Sequence, residues 1–149
     1  MKIMPAMPGS SSRDLLPTMS SAGVKLLIDE AIKAREMAVA PYSKFAVGAA
    51  LLTISGDVIH GANVESASYG LTCCAERVAL FKALTEGHRD FVSIAVVADH
   101  EGGPMPCGAC RQLLSEYAPE AEVWVADVKA PDAMKCFKVA ELLPGAFRL

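Results

Sequence analysis

Three cysteines and one glutamate, placed in two short motifs, constrain this 149-residue chain more than any other feature of its sequence. The first motif is Cys74-Ala75-Glu76, and the second is Pro106-Cys107-Gly108-Ala109-Cys110. Three thiols suit one zinc ion, and three protein ligands leave a tetrahedral position open for water. A nearby carboxylate that does not bind the metal can carry that water's protons. The pattern therefore predicts a hydrolytic zinc site, because a structural zinc site has no use for the Glu76 carboxylate.

Each motif is expected to begin a helix. Cys107 and Cys110 are three residues apart, so they share one face of a helix, and Pro106 is tolerated because its missing N–H lies outside the helical hydrogen-bond ladder. Cys74 and Glu76 are only two residues apart and would not face each other within a regular helix. Cys74 must therefore lie at or before the first turn if both side chains reach one site. The positive ends of the two helices would then favour thiolates there.

A positive side chain is expected next to the thiols. Three thiolates on Zn²⁺ give a centre with a net negative charge, which makes a bound water less acidic than neutral imidazole ligands would. Arg77 follows Glu76 and Arg111 follows Cys110. A guanidinium can donate hydrogen bonds to sulfur and so withdraw electron density. Of the two candidates, we favour Arg77.

The remaining cysteines and the histidines have simpler interpretations. A Cys-x-x-Cys pair alone is more often a structural zinc or redox motif, and the addition of Cys74 and Glu76 reverses that balance. Cys73 could be the third ligand in place of Cys74, but the position of Glu76 fits Cys74. Cys73 and Cys136 are therefore interpreted as buried apolar residues. The histidines are expected to be solvated, and none is expected to bind metal: His60, His88 and His100.

Charge and composition narrow the class of substrate. The net charge is −3, with Lys and Arg scattered along the chain, so a phosphate backbone is weakly attracted and polynucleotide substrates are disfavoured. A small neutral or singly charged substrate fits better. No apolar stretch approaches the ~20 residues that a membrane span needs. Without a secretory signal, an odd number of cysteines favours metal binding over disulfides and indicates a cytoplasmic protein.

Length and periodicity predict one domain with a short extension. Residues 1–19 are rich in Pro, Ser, Gly and Met without periodicity, and they are expected to form a mobile extension that contributes little to the fold of a domain at 20–149. The element order α-β-β-α-β-α-β predicts an α/β domain with a mixed sheet covered on both faces. Helices are expected from Ser20 or Ser21 to Pro41 and at 74–86, 107–117 and 139–143, and strands at 45–54, 58–64, 91–98, 123–128 and 135–137.

Seven blocks of sequence in a fixed order carry a resemblance to a known family. They are Ala40-Pro41-Tyr42-Ser43-Lys44-Phe45, Val47-Gly48-Ala49-Ala50-Leu51-Leu52, Gly61-Ala62-Asn63-Val64-Glu65, Ala67-Ser68-Tyr69-Gly70, Cys74-Ala75-Glu76-Arg77, Pro106-Cys107-Gly108-Ala109-Cys110-Arg111-Gln112 and Glu141-Leu142-Leu143-Pro144-Gly145-Ala146-Phe147. From about residue 24 to its end, the chain resembles the cytidine deaminase family in its short, zinc-dependent, homotetrameric form. Zinc deaminases of nucleobases use this same layout, with three cysteines as a permitted ligand set. The resemblance implies a three-layer α/β/α fold with a mixed five-stranded sheet.

The resemblance also implies an activity. Family members hydrolyse cytidine and 2′-deoxycytidine to the uridines and release ammonia, in pyrimidine salvage. Cys74, Cys107 and Cys110 would ligate one Zn²⁺ per chain. Glu76 would take a proton from the attacking water, deliver it to pyrimidine N3 and later protonate the departing amine.

Substrate contacts follow from the same resemblance. Asn63 and Glu65 match positions that hold the ribose 3′-hydroxyl. Phe45 matches a residue that packs against the pyrimidine, and Ala75 matches a further substrate-binding position. These four residues, together with the zinc ligands and Glu76, form the site that the resemblance implies within one chain.

Two aromatic residues imply a shared site. Tyr69 and Phe147 match aromatics that a neighbouring subunit contributes, so a homotetramer with shared active sites is implied, without nucleic-acid or membrane partners. Two positions depart from the family pattern. Ser66 stands where Asn is common, and Cys73 precedes the zinc cysteine where other residues are usual. Neither departure removes a catalytic group.

Three other functions compete with this one. A deaminase of a nucleoside antibiotic such as blasticidin S resembles this chain in the zinc motifs but diverges at Phe45 and at the block from Asn63 to Glu65. A deaminase of bases in nucleic acid should have a basic face, which this chain lacks. A binding module with a structural zinc should have a fourth protein ligand or a substitution at Glu76, and the sequence shows neither.

Overall fold

The centre of the fold is a mixed five-stranded β-sheet. In the computed structural model, which describes residues 2–3 and 18–149, the strands are β1 (Val47–Thr53), β2 (Val58–Ala62), β3 (Phe91–Ala98), β4 (Glu122–Asp127) and β5 (Ala130–Lys138). Their order in the sheet is β2-β1-β3-β4-β5. β3 and β4 run parallel, and the other neighbouring strands run antiparallel. The predicted mixed sheet is confirmed, and β5 is longer than expected.

Helices cover both faces of the sheet. They are α1 (Ser21–Arg35), α2 (Ala75–Thr85), α3 (Gly108–Tyr117) and α4 (Val139–Leu142), with a single 3₁₀ turn at Tyr69–Leu71. None of the helices in the described ranges is both long enough and apolar enough to cross a membrane. The three-layer α/β/α architecture implied by the family resemblance is confirmed.

Side chains that alternate between the two faces of the sheet divide the core into two clusters. Ala49 and Leu51 of β1 pack with α2, α3 and α4, whereas Ala50 and Leu52 pack with α1 on the opposite face. Successive side chains of a strand point to opposite faces, so a strand covered on both sides must be apolar throughout. All eight residues of β3 are buried. Each fully buried Leu, Ile or Val contributes about 1.5–3 kcal/mol relative to exposure.

The helices begin close to the residues predicted from the sequence, whereas α1 ends before the predicted residue. Ser20 caps α1, and its hydroxyl accepts the N–H of Gly23 at 3.1 Å. The helix ends at Arg35 rather than at Pro41, because Val39 pairs instead with the segment after β2 and donates its N–H to Asn63 O at 2.9 Å. This pairing outweighs the helical periodicity, so the predicted continuation of the helix beyond Arg35 is wrong.

Close contact between β2 and α2 requires a glycine. A Cβ added at Gly61 would lie 2.3 Å from the carbonyl oxygen of Ala75 and 2.5 Å from the backbone N of Ala79. No side chain fits against backbone at that distance. Gly61 therefore lets the first turns of α2 pack directly on the sheet, which fixes where the first thiol motif lies.

Two expectations about burial are wrong. Ile3 is 3% exposed and packs in the α1-side cluster, and its N–H donates to Gly56 O at 3.0 Å, so this residue of the extension contributes to the fold. Cys136 is exposed, because it lies on β5 at the edge of the sheet. His60 is exposed, as expected, and its Nε2 also lies 2.7 Å from Oε2 of the buried Glu30. Residues 4–17 of the predicted extension lie outside the described residues, and the division at residue 19 stays a prediction.

Replacing Gly61 with alanine tests the packing of α2 on β2. We expect Gly61→Ala to lower the free energy of unfolding by about 2 kcal/mol or more, since the added Cβ must displace backbone. Gly70→Ala is the matched control, because a Cβ at Gly70 meets nothing within 4 Å. Denaturant unfolding of the two variants at equal protein concentration checks this. Equal stability of both variants would contradict the packing described here.

Candidate active site

Three thiols converge at one point of the structure. Cys74 Sγ lies 3.7 Å from Cys107 Sγ, and Cys107 Sγ lies 3.6 Å from Cys110 Sγ. All three sulfurs lie within 4.8 Å of one another. Sulfurs that bind zinc tetrahedrally at ~2.3 Å lie about 3.8 Å apart, whereas a disulfide needs about 2.05 Å. The donor set and its spacing therefore fit one zinc ion.

Helix starts bring the thiols together. Cys74 is the N-cap of α2 and Cys107 is the N-cap of α3, and both have extended backbone with ψ of 153° and 168°. Cys110 lies in the first turn of α3 and is buried. The requirement that Cys74 lie at or before the first turn is met. The hydroxyl of Thr72, two residues before this N-cap, accepts the N–H of Ser66 at 3.0 Å.

Arg77 is the guanidinium that reaches the thiols. Its Nη2 lies 3.5 Å from Cys74 Sγ and 3.1 Å from Thr72 O. Arg111 instead donates to the carbonyl oxygens of Pro106 at 2.8 Å and Leu142 at 2.9 Å, so it fastens α4 to α3. The geometry agrees with the choice of Arg77 over Arg111, and its electronic role stays a prediction.

Charge in the thiol cluster is concentrated on Cys74. Hydrogen bonds from the Cys110 thiol and from Arg77 outweigh burial and lower the pKa of Cys74 to about 5. The pKa of Cys110 is raised well above its ordinary value, because this thiol donates to Cys74 and is buried. The pKa of the Cys73 thiol is also raised, by burial. Cys74 is therefore the thiol best prepared to bind a cation as thiolate.

Glu76 lies against the cluster in the first turn of α2. It is 5% exposed, and burial, with the negative charge of Cys74 adding to it, raises its pKa to about 7. The nearby Cys110 thiol has a smaller and opposite effect on the pKa of this carboxylate. A carboxyl group whose pKa lies near neutrality can both accept and release a proton. The arrangement can therefore move protons beside a metal bound to the thiols.

Residues of the segment after β2 hold the loop before β1. Asn63 is 8% exposed, and its side chain bonds Val47 N at 2.9 Å and Phe45 O at 2.8 Å. Glu65 Oε1 accepts the N–H groups of Tyr42 and Ser43, each at 3.1 Å, and the bonds from Ser43 are the largest cause of its lowered pKa. Their predicted ribose contacts stay predictions.

The remaining predicted substrate residues differ in exposure. Phe45 is 40% exposed, Tyr69 is 87% exposed and Phe147 is 68% exposed. Ala75 is fully buried, and its side chain belongs to the core cluster beneath α2, so a contact with a ligand there falls to its backbone. The exposure of Tyr69 and Phe147 means that neither ring has a packing partner that covers it within the described part of the chain.

Sequence reasoning missed two features beside the site. His100 packs edge-on against Phe45, with ring centroids 6.4 Å apart and an interplanar angle of 89°. Lys44 has a left-handed backbone with φ of 61°. The position of His100 in the loop that leads to the second motif was the available signal, whereas Lys44 has no sequence signal because Gly, Asn or Asp is usual in that conformation.

Comparison with known proteins identifies the family. Residues 23–126 match the family model described as the cytidine and deoxycytidylate deaminase zinc-binding region. The chain belongs to this family. The matched range contains the three thiols and Glu76, so zinc is the metal that the cluster is built to bind.

Likeness to cytidine deaminases over most of the chain supports the same assignment. The chain is 56% identical over 124 residues to a cytidine deaminase from Halalkalibacterium halodurans, covering 83% of this chain and 92% of the relative. A crystal structure of a cytidine deaminase from Burkholderia pseudomallei is similar with a TM-score of 0.80 and 48% identity, covering 87% of this chain and 100% of that one. A blasticidin-S deaminase from Bacillus cereus is more distant within the family, at 34% identity over 91 residues, covering 56% of this chain and 65% of its own length.

Adjacent cysteines provide a matched test of the ligand set. We expect Cys74→Ser to lose most of its zinc on dialysis against a chelator, because a serine hydroxyl binds Zn²⁺ far more weakly than a cysteine thiolate does. Cys73→Ser should keep about one zinc per chain, since Cys73 lies outside the cluster. Metal analysis per folded chain checks this. Loss of zinc from Cys73→Ser with retention in Cys74→Ser would reassign the ligand.

Proposed function

We propose that this chain hydrolyses cytidine and 2′-deoxycytidine to uridine and 2′-deoxyuridine and releases ammonia. One observation carries the proposal, namely that a buried carboxylate, Glu76, faces three thiols spaced to hold one metal ion. Membership of the deaminase family supports the reaction class, and the cytidine deaminases that align over most of the chain support the substrate.

Zinc binding is assigned to three residues. Cys74, Cys107 and Cys110 would hold one Zn²⁺ per chain, with Arg77 donating to Cys74 Sγ to offset the charge of the thiolates. When bound, zinc supplies a Lewis acid that makes water nucleophilic near neutral pH. The donor set contains three ligands among the described residues, which suits a catalytic site that keeps a coordination position open.

Glu76 would move the protons of the reaction. It accepts one proton from the attacking water as the C4–O bond forms, and it passes this proton to pyrimidine N3. It then transfers the second proton of the former water to the amino group, so that the C4–N bond breaks and ammonia leaves. The products are a C4 carbonyl and an N3–H, which balance the atoms of one cytidine and one water.

Three residues of the same chain would bind the nucleoside. Phe45 packs against the pyrimidine, and its partly exposed ring is available for this contact. Asn63 and Glu65 would face the ribose. Glu65 binds loop N–H groups through Oε1, which leaves its second oxygen as an acceptor for a sugar hydroxyl. The backbone of Ala75, at the start of α2, is assigned to the pyrimidine.

A homotetramer would complete the pocket. Tyr69 and Phe147 are largely exposed aromatic rings, and large apolar groups left on the surface favour burial against another chain. We assign them to the active site of a neighbouring subunit. A monomer would then have a pocket that lacks two of its aromatic walls.

Pyrimidine salvage in the cytoplasm is the setting that we assign. All five cysteines are free, and a catalytic site made of three thiols requires a compartment that keeps thiols reduced. A free nucleoside as substrate and a uridine nucleoside as product fit a salvage reaction. The scattered charges and the net charge of −3 favour a small substrate over nucleic acid.

Replacing Glu76 with glutamine tests the mechanism. We expect Glu76→Gln to keep zinc and the fold but to lower kcat at least about 100-fold, because the amide cannot carry a proton. Glu86→Gln, at the other end of α2 and exposed, should stay within about twofold of the parent. Absorbance of the cytosine ring during turnover of cytidine measures both. Retained turnover in Glu76→Gln would contradict the assigned role.

Mixing two weakly active variants tests the shared site. A Phe147→Ala chain keeps its own Glu76 but cannot supply the Phe147 ring to a neighbour. A Glu76→Gln chain lacks the proton carrier in its own site but still supplies Phe147 to a neighbour. We expect each variant alone to be weakly active and their co-assembled mixture to regain turnover, with a mass of four chains by native mass spectrometry. A fully active monomer, or a tetramer whose mixture regains nothing, would overturn the shared-site proposal.

A further inference from the structure

The loop that carries Phe45 has a backbone that needs external support. Lys44 has φ of 61°, a left-handed conformation that costs energy for a residue with a Cβ. The Phe45 ring is 40% exposed, so its own packing is incomplete. Local bonds from Lys44 N to Ala40 O at 3.1 Å and from Phe45 N to Ser43 Oγ at 3.0 Å contribute. The contacts from outside the loop decide where Phe45 lies.

Asn63 provides the contacts on the Phe45 side. Its Oδ1 accepts the N–H of Val47 and its Nδ2 donates to the carbonyl of Phe45, and its backbone N–H donates to Val47 O at 3.3 Å. A buried amide that bonds two backbone groups of one segment takes the place of strand pairing there. One N–H and one lone pair of the side chain remain for any other partner. Half of the hydrogen-bonding capacity of the Asn63 side chain is therefore directed at residues 45–47.

Glu65 holds the opposite side of the loop. Its Oε1 accepts the N–H groups of Tyr42 and Ser43, which precede Lys44, whereas Asn63 bonds residues that follow Lys44. The strained residue thus lies between two anchors that come from one short segment. Fixing both sides of a strained residue is the condition under which such a conformation persists.

The same segment is bonded to the neighbour of a zinc ligand. Val64 and Cys73 exchange backbone hydrogen bonds at 3.0 and 2.9 Å, and Cys74 follows Cys73. On its other side the segment pairs with Val39, whose N–H donates to Asn63 O and whose carbonyl accepts the N–H of Glu65, both at 2.9 Å. Residues 63–65 therefore form a continuous bonded connection between the loop and the thiol cluster.

We propose that Asn63 is a positioning residue that sets the distance between the Phe45 ring and the thiol cluster by holding the loop at Phe45 and Val47. This inference rests on the proposed function, in which Phe45 packs against the pyrimidine. It adds to the assigned ribose contact of Asn63, because an effect exerted through the loop persists with a substrate that lacks the 3′-hydroxyl. The residue acts through the loop and thereby on pyrimidine binding.

Paired substrates with and without the 3′-hydroxyl test the proposal. For Asn63→Ala we expect KM to rise by about tenfold with both 2′-deoxycytidine and 2′,3′-dideoxycytidine, since two loop hydrogen bonds are lost. The kcat per zinc-loaded chain should stay within about threefold, because Glu76 and the thiols are untouched. A rise in KM with 2′-deoxycytidine alone would show that Asn63 acts only as a ribose contact and would overturn the proposal. A fall in active protein with unchanged KM would show a purely structural role and would overturn it as well.

Hydrogen exchange provides a readout that does not depend on activity. In zinc-loaded protein, amides of residues 42–47 should exchange about tenfold faster in Asn63→Ala than in the parent. Asn63→Asp, which keeps the acceptor for Val47 N–H and loses the donor to Phe45 O, should also exchange faster and serves if the alanine variant does not fold. Ser66→Ala is the control, because Ser66 Oγ bonds Ser68 N outside the loop, and it should leave exchange at 42–47 unchanged.

The two readouts separate the two proposals. Absence of turnover of any cytosine nucleoside by the parent protein would overturn the proposed function, while faster exchange at 42–47 would still establish Asn63 as the anchor of the loop. Unchanged exchange in both Asn63 variants would overturn the positioning role even if the parent protein deaminates cytidine.

Discussion

The meeting of two helix N-termini at one group of thiols is the constraint on which the rest of the site depends. Cys74 and Cys107 are the N-caps of α2 and α3, and Cys110 lies one turn into α3. Each helix start carries partial positive charge, which favours thiolates there. Packing of α2 and α3 on one face of the sheet holds these ends together, and Gly61 allows α2 to approach β2 closely enough. The metal site is thus a consequence of helix packing, with ligands taken from chain segments that lie far apart in sequence.

Proton transfer and substrate binding are connected to this cluster through short links. Glu76 lies two residues after Cys74 and is buried against the thiols, so the residue to which we assign the proton transfers is fixed by the same helix start as a ligand. Arg77 donates to Cys74 Sγ and is the residue to which we assign the opposing charge. The segment 63–65 bonds the loop of Phe45 on one side and Cys73 on the other. We therefore infer that the geometry of the pyrimidine pocket is set by backbone pairing as much as by the side chains that touch substrate.

The sequence predicted those features that local pattern controls. The bounds of β3, the start of α1 at Ser20 or Ser21 and the two helix starts at the thiol motifs follow from apolar runs, capping chemistry and ligand spacing. It did not predict the end of α1 at Arg35, the burial of Ile3 or the bond of His60 to Glu30, because each of these depends on a partner far along the chain. The predicted burial of Cys136 was wrong for a related reason. A strand at the edge of a sheet buries fewer of its residues than its composition suggests. The left-handed Lys44 depends on anchors at Asn63 and Glu65 that no local pattern contains.

We infer that the thiol cluster is a catalytic metal site. The most direct test is to remove the metal from the purified protein, return zinc in measured steps and record cytidine turnover at each zinc content. We expect no turnover without zinc and a linear rise that ends at about one ion per chain. Turnover by the metal-free protein, or full zinc loading without any turnover, would contradict this inference.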